Sequence, residues 1–246
     1  MAIAEFRARQ SRISTMKACG FLASALFLVS ASIQAQEGSV RANEITNEPH
    51  HVLLFQNSAV RVFQLNLRPN EVTLPHRHEK FYAYLSLHPV TIGNEVRGRQ
   101  PVLTQLDPGE LHTSKGGFTV AERNNSSEPT EMLVIEAIKV EHGSFDTPML
   151  GFRYHNAAFS ELFESPAMRG YSMMLFPGGQ VDSHAENYDR LLIAITDLKL
   201  RDTSDEGSPS NFEMKAGDIH WFPRGGTHTV TNLAESVGTF ITLEFN

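Results

Sequence analysis

Cysteine is almost absent from this chain: 246 residues hold one, Cys19. With its only thiol so near the N-terminus, the remainder has no disulfide, no thiolate metal site and no thiol nucleophile. Positive charge is also scarce. Lys and Arg number 21 against 28 Asp and Glu, a net charge of −7. Phosphate backbones need a basic face, so the charge argues against nucleic acid as a partner. Long apolar runs are missing too. The most apolar stretch, Gly20 to Ser30, is rich in Ser and Ala and falls well short of the roughly 20 residues that span a bilayer. No long amphipathic helical stripe occurs after it, the one candidate being Asn156 to Phe163.

What precedes that stretch gives it a meaning. Arg7, Arg9, Arg12 and Lys17 lead into it, and small residues follow, with a cleavage position after Ala35. This is the order of a secretory signal, expected over residues 1–35. Met16 followed by Lys17 would make an alternative start, and an uncleaved N-terminal anchor is the competing reading. Removal of 1–35 leaves 17 Lys and Arg against 27 Asp and Glu, a net charge of −10. Export without disulfides fits a bacterial periplasm or secretion, with no membrane contact after cleavage.

The most informative positive feature is a self-match at an offset of 108. His76 falls on His184, Gly109 on Gly217, Gly117 on Gly225, Asn124 on Asn232, Arg61 on Arg169, Pro69 on Pro177, His112 on His220 and Glu136 on Glu244. No insertion or deletion is needed. This period has the length of a small domain, so the chain reads as one fold written twice. Copy one covers 51–138 and copy two 159–246. Residues 36–50 form a polar lead-in and 139–158 a connector. Short β-branched and alternating runs, such as Val60 to Leu67 and Ile241 to Glu244, are bounded by Gly- and Pro-rich turns. They predict strands throughout, hence an all-β fold of two small barrels or double-sheet sandwiches.

Copy two carries Gly217, Pro223, Gly225, His228 and Asn232 at fixed spacing. This resembles the second motif of the cupins: Gly, five residues, Pro-x-Gly, two residues, His, three residues, Asn. Their first motif pairs His-x-His with a Glu four or five residues later. Copy one has His76-Arg77-His78 with Tyr82 at the Glu position. Copy two has His184-Ala185-Glu186 with Arg190 there. The chain is thus similar to a two-domain cupin, a bicupin of the RmlC-like jelly-roll superfamily and of a secreted bacterial type. The resemblance implies two tandem double-stranded β-helix barrels, a divalent transition metal (Fe, Mn, Zn or Ni), a small-molecule ligand and pairing into a homodimer.

On that resemblance the metal site of copy two is His184, Glu186 and His228, two imidazoles and a carboxylate with open positions left for oxygen or substrate. Arg190 leaves alternatives open. It repels a dication, it pairs with Glu186 and leaves no metal, or it lies beyond the metal and holds a substrate carboxylate. Arg190 and Tyr188 are the candidate catalytic groups, Tyr188 as proton donor or pocket wall. Copy one offers His76 and His78 as a second, weaker site. The second-motif His falls on Val120, and Glu79 has the wrong strand parity. Two ligands are fewer than such sites use, which favours a degenerate barrel kept for packing or dimerisation.

His50 and His51 could bind metal adventitiously yet fall at the polar lead-in, His142 and His155 lie in the connector, and His112 and His220 lie at the surface or a barrel mouth. Tyr82, Tyr84 and Trp221 line a pocket or fill the core, and Asn124 and Asn232 bridge backbone. Two function classes follow. One is a metal-dependent enzyme acting on a small organic, carboxylate-like molecule as a dioxygenase, lyase or isomerase. The other is a non-catalytic ligand-binding or structural bicupin without metal.

Overall fold

The computed structural model describes residues 43–139, 144–149, 151–204 and 207–246, and the expected signal and His142 lie outside the described residues. The expected all-β fold is what forms. The N-terminal half runs β1 (Asn43–Glu44), a 3-10 turn (Ile45–Asn47), β2 (His51–Gln56), β3 (Val60–Leu65), β4 (His76–His78), β5 (Tyr82–Ser86), β6 (Val90–Val96), β7 (Val102–Leu106), β8 (Leu111–Ser114), β9 (Phe118–Asn124) and β10 (Met132–Ala137). The C-terminal half runs β11 (Tyr154–Glu164), β12 (Met168–Ala185), β13 (Asp189–Ala194), β14 (Leu198–Ser204), β15 (Ser210–Met214), β16 (Ile219–Phe222), β17 (Thr227–Asn232) and β18 (Gly238–Phe245). Among the described residues, no helix is long and apolar enough to cross a membrane.

One expectation fails in the chain itself. Asn156 to Phe163, the single candidate for a helix, lies within β11, whose Ala157 to Ser160 pair with Leu175 to Ser172 of β12. Ladder hydrogen bonds to a long neighbouring strand override its local spacing. The segments read as lead-in and connector also carry structure, since β1 and Glu48 come from the first and the start of β11 from the second.

The N-terminal strands form two sheets, ordered β1-β4-β9-β6-β7 and β2-β3-β10-β5-β8, while the C-terminal strands form one eight-stranded sheet. The difference lies in β12. It stays extended for 18 residues, so it pairs with β18 at one end and with β17 at the other. In the N-terminal half the chain leaves the ladder between β3 and β4, turning at Asn70 with φ 65°. Cross-strand registers recur at the sequence offset of 108. Arg61 lies opposite Glu136 and Arg169 opposite Glu244; Ile92 lies opposite Asn124 and Leu200 opposite Asn232.

Strand alternation distributes the apolar residues over three regions. Phe63, Leu65, Ile92, Leu106, Met132 and Val134 fill the interior of the N-terminal half. Met173, Leu175, Leu192, Leu200 and Phe240 do the same in the C-terminal half. The intervening residues face the other way. Val62, Leu85 and Ile135 meet Met168, Ile193, Leu243 and Phe245 in one buried seam between the halves. Two glycines permit the closest approach there. Gly109 and Gly217 have φ of 76° and 89°; a Cβ would come 3.1 Å from Ile195 on the first and 2.7 Å from Leu87 on the second. Leu87 and Ile195 are themselves 108 apart, so the contact is reciprocal.

Asn124 and Asn232 bridge backbone, as expected. Asn232 Nδ2 donates to the carbonyls of Leu175 and Ser236, and its Oδ1 accepts from Ala234 N. Arg169 is buried against Glu244, with its Nε 2.5 Å from Oε2, and it also donates to the Thr147 carbonyl. Its guanidinium lies over the rings of Phe145 and Tyr188. Removing one partner of a buried pair leaves the other charge uncompensated. Arg169→Ala is therefore expected to cost about 3–5 kcal/mol in urea unfolding. Arg61→Ala is expected to cost less, because Arg61 keeps 20% of its side chain in solvent.

Candidate metal centres

Strand β4 buries His76 and His78 on one face and turns Arg77 outward to an exposed partner, Glu79. Its neighbour β9 places Val120 opposite His76. Two residues further along β9, on the same face, stands Glu122. Thr73 holds it by donating its hydroxyl to Oε2 at 3.1 Å and accepting from Glu122 N. His51, the first residue of β2, supplies a third imidazole. The expected pair is thus part of a group of four, His51, His76, His78 and Glu122, all buried, whose ligand atoms lie within 4.8 Å of one another. The reading of His76 and His78 as lacking further ligands is corrected by this geometry, as is the placement of His51 in a polar lead-in.

The outer nitrogens decide what the inner ones can do. His51 Nδ1 faces Glu48 Oε2 at 3.0 Å, His76 Nδ1 faces the Leu74 carbonyl at 2.9 Å, and His78 Nδ1 faces Glu136 Oε1 at 3.4 Å. Carbonyls and carboxylates accept only, so the Glu48 and Leu74 contacts assign the His51 and His76 protons to Nδ1, whereas His78 Nδ1 makes no hydrogen bond to Glu136. The Nε2 lone pairs of His51 and His76 then point inward. His76 Nε2 and His78 Nε2 are 3.1 Å apart, and Glu122 lies 3.3 Å from the first and 3.6 Å from the second. His51 Nε2 is buried without a hydrogen-bond partner. Imidazole nitrogens and a carboxylate thus converge, and their charge calls for a cation among them, either a proton on His78 or a metal ion. Imidazoles whose second nitrogen is tied to a carboxylate or carbonyl are the usual arrangement around a metal. Ligand bonds of about 2.0–2.1 Å place neighbouring donors about 3 Å apart at right angles, close to the spacing found.

The same demand appears in the protonation of the metal-free pocket. Burial opposes charge on His78, yet Glu122 and Glu136 outweigh it and raise its pKa to about 9. Burial and its imidazole neighbours lower that of His76. Beyond the ligands, Arg61 pairs with Glu136 at 2.7 Å, and the ring of Tyr82 stacks on His78 at 4.2 Å. Tyr82 and Tyr84 line a small cavity with Asn94, Glu122 and Met132.

In the C-terminal half, β12 and β17 set His184 opposite His228, and Glu186 follows the end of β12. These three expected ligands do come together. His184 Nδ1 faces the Asp182 carbonyl at 2.7 Å, and His228 Nδ1 faces Asp202 at 2.8 Å. Both Nε2 atoms reach one oxygen, Glu186 Oε1, at 3.0 and 2.8 Å, and Arg190 Nη1 touches that same oxygen. The guanidinium carbon lies 5.0 Å from the centre of the Phe222 ring, and Arg190 Nε is buried without a partner. Phe152, Tyr171, Met173, Phe212 and Phe240 complete a mostly apolar chamber.

The remaining candidates are placed as follows. The Tyr188 hydroxyl accepts from Asp146 N at 2.7 Å and its ring packs on Phe145, so it anchors the connector and walls a second cavity beside Glu186. His112 pairs with Glu110 and stacks on Tyr84, His220 is exposed beside Phe222, and His155 pairs with Asp182 at the surface. Trp221 packs on Phe55 and Phe245 at the seam. Copy matching does not reveal Glu122, and it leaves His51 only an adventitious metal ligand of the lead-in, because their 108-offset mates are Val230 and Phe159. A charged residue on the buried face of a strand, where the other copy has an apolar one, was the available signal for Glu122.

Glu48, Glu122 and Glu186 share an electrostatic feature. Burial would raise all three, but imidazole hydrogen bonds, and for Glu186 also the Arg190 charge, hold each at about 2. Their folded pKa values thus lie below the unfolded ones, so they stabilise the fold above pH about 4.5 and cease to as pH falls towards 2. Metal-stripped protein is expected to lose urea stability steadily across that window. Unchanged unfolding midpoints between pH about 5 and about 2.5 would contradict the linkage.

No family model and no curated protein sequence matches the chain. Solved structures do. Bacillus subtilis oxalate decarboxylase, an enzyme with Mn(II) centres, matches at 9% identity and a TM-score of 0.54, over 82% of this chain and 76% of its own. Lactobacillus farciminis oxalate decarboxylase matches at 11% and 0.58, over 77% and 78%. AerE from Microcystis aeruginosa matches at 13% and 0.56, over 81% and 98%. The likeness is one of fold: the chain has the all-β architecture of these cupin proteins, with His and Glu groups gathered in its interior.

Proposed function

We propose that the chain is a metal-binding cupin of two fused jelly-roll barrels, whose N-terminal barrel holds a divalent transition metal and whose ligand is a small carboxylate-like molecule. The observation that carries this reading is the buried cluster of His51, His76, His78 and Glu122, whose ligand atoms lie within 4.8 Å of one another. Imidazole and carboxylate suit Fe, Mn, Zn or Ni, and a six-coordinate ion would keep two positions for a ligand. When bound, such an ion supplies Lewis acidity towards a carbonyl or carboxylate oxygen.

The protein's own groups would orient the ligand and hold the ion. Glu48 and Leu74 O keep His51 and His76 in the tautomer that presents Nε2, and Glu136 lies 3.4 Å from His78 Nδ1. Tyr82, Tyr84 and Asn94 offer the polar atoms of the adjoining cavity, which favours a compact ligand over an extended one. The oxalate decarboxylases share only the fold, and their name lends the carboxylate assignment its direction. The signal-like N-terminus and the lack of cysteine beyond it support work in the periplasm or outside the cell.

Protein purified from metal-supplemented growth is expected to carry about one equivalent of transition metal per chain. His76→Ala and Glu122→Gln are expected to abolish it, and Glu48→Gln to weaken metal affinity about 10–100-fold. Elemental analysis of the folded variants makes the check, and metal-free wild type or full metal retention by His76→Ala would refute the site. Once the metal is present, short mono- and dicarboxylic acids are expected to perturb its spectrum or the melting temperature.

A further inference from the structure

We infer that Arg190 occupies the role of the metal in the C-terminal cluster, so that this half is a metal-free site stabilised by an internal cation. The two clusters sit at corresponding positions, and the comparison is residue by residue. His184 corresponds to His76, Glu186 to His78, His228 to Val120, Val230 to Glu122 and Arg190 to Tyr82. In the N-terminal half the residue at the last position is neutral, and Tyr82 lies flat on His78. In the C-terminal half the same position holds a guanidinium, and it lies against the carboxylate oxygen on which both imidazoles converge.

Three observations set the ligand count against a metal there. Glu186 Oε1 already has His184, His228 and Arg190 around it, so a metal would have to displace the guanidinium to reach that oxygen. The guanidinium cannot shed its charge at any ordinary pH, so its repulsion of a dication is permanent. Nor is it free to swing away. The Arg190 side chain is 11% exposed and lies beside Phe222, in a chamber walled by apolar and aromatic residues. The N-terminal cluster instead gathers four potential ligands with no arginine or lysine among them.

The inference uses the N-terminal metal only as its comparison, and the experiment separates the two. Metal content of the full chain would be measured after stripping and reloading with Mn²⁺ or Zn²⁺, for wild type, His76→Ala, His228→Ala, Arg190→Gln and Arg190→Gln with His228→Ala. Wild type and His228→Ala should hold the same content, Arg190→Gln should gain about one equivalent, and the double variant should lose that gain. Arg190→Gln should gain its equivalent in the His76→Ala background too, so failure of the N-terminal reading would leave this result standing. Loss of metal on His228→Ala in the wild-type background, or a folded Arg190→Gln protein with no added metal, would overturn the inference. Should Arg190→Gln fail to fold by circular dichroism, the His228→Ala comparison alone decides between the two outcomes.

Discussion

Crowding of metal-ligating groups is the constraint on which the N-terminal interior depends. Glu48 and the Leu74 carbonyl turn two imidazoles so that Nε2 faces inward, and four ligand atoms meet within 4.8 Å. Buried carboxylates beside them call for a cation, a proton on His78 or a metal ion, in an interior where unpaired charge is most costly. The surrounding strands hold those groups together. Thr73 clamps Glu122, β4 carries two imidazoles on its buried face, and Glu48 gathers His50, His51 and the Leu74 amide around one carboxylate.

The C-terminal interior meets a similar problem with the opposite solution. Its carboxylate oxygen meets Arg190, which brings a permanent positive charge, as well as the Nε2 atoms of both imidazoles. Strand registers recur between the halves, but the charged groups do not. One side chain, tyrosine or arginine at a corresponding place, separates a pocket of imidazoles around a carboxylate from one whose carboxylate meets a guanidinium.

Much of the fold was legible in the sequence. Period-two alternation gave strands, and the residues matched at the offset of 108 do recur in equivalent pairs, Arg61 with Glu136 and Arg169 with Glu244, although the pairing itself was not legible. The gathering of His184, Glu186 and His228 was legible because spacing within two strands brought them together. Pairing of Arg190 with Glu186 was one of the alternatives that spacing left open. His51 and Glu122 were not legible by matching copies, since each departs from its mate. Their roles arise from contacts between strands distant in sequence, β2 and β9 against β4. The segment 156–163 failed as a helix for the same kind of reason: its conformation is set by β12, not by its own residues.

The reciprocal packing of Gly109 on Ile195 and Gly217 on Leu87 has a genetic consequence. Where two identical subunits meet across such a surface, every codon change strikes both of their cavities at once. Here a single polypeptide supplies both sides, so a mutation is felt on one side only. Inheritance could therefore rewrite position 190 while position 82 stayed as it was.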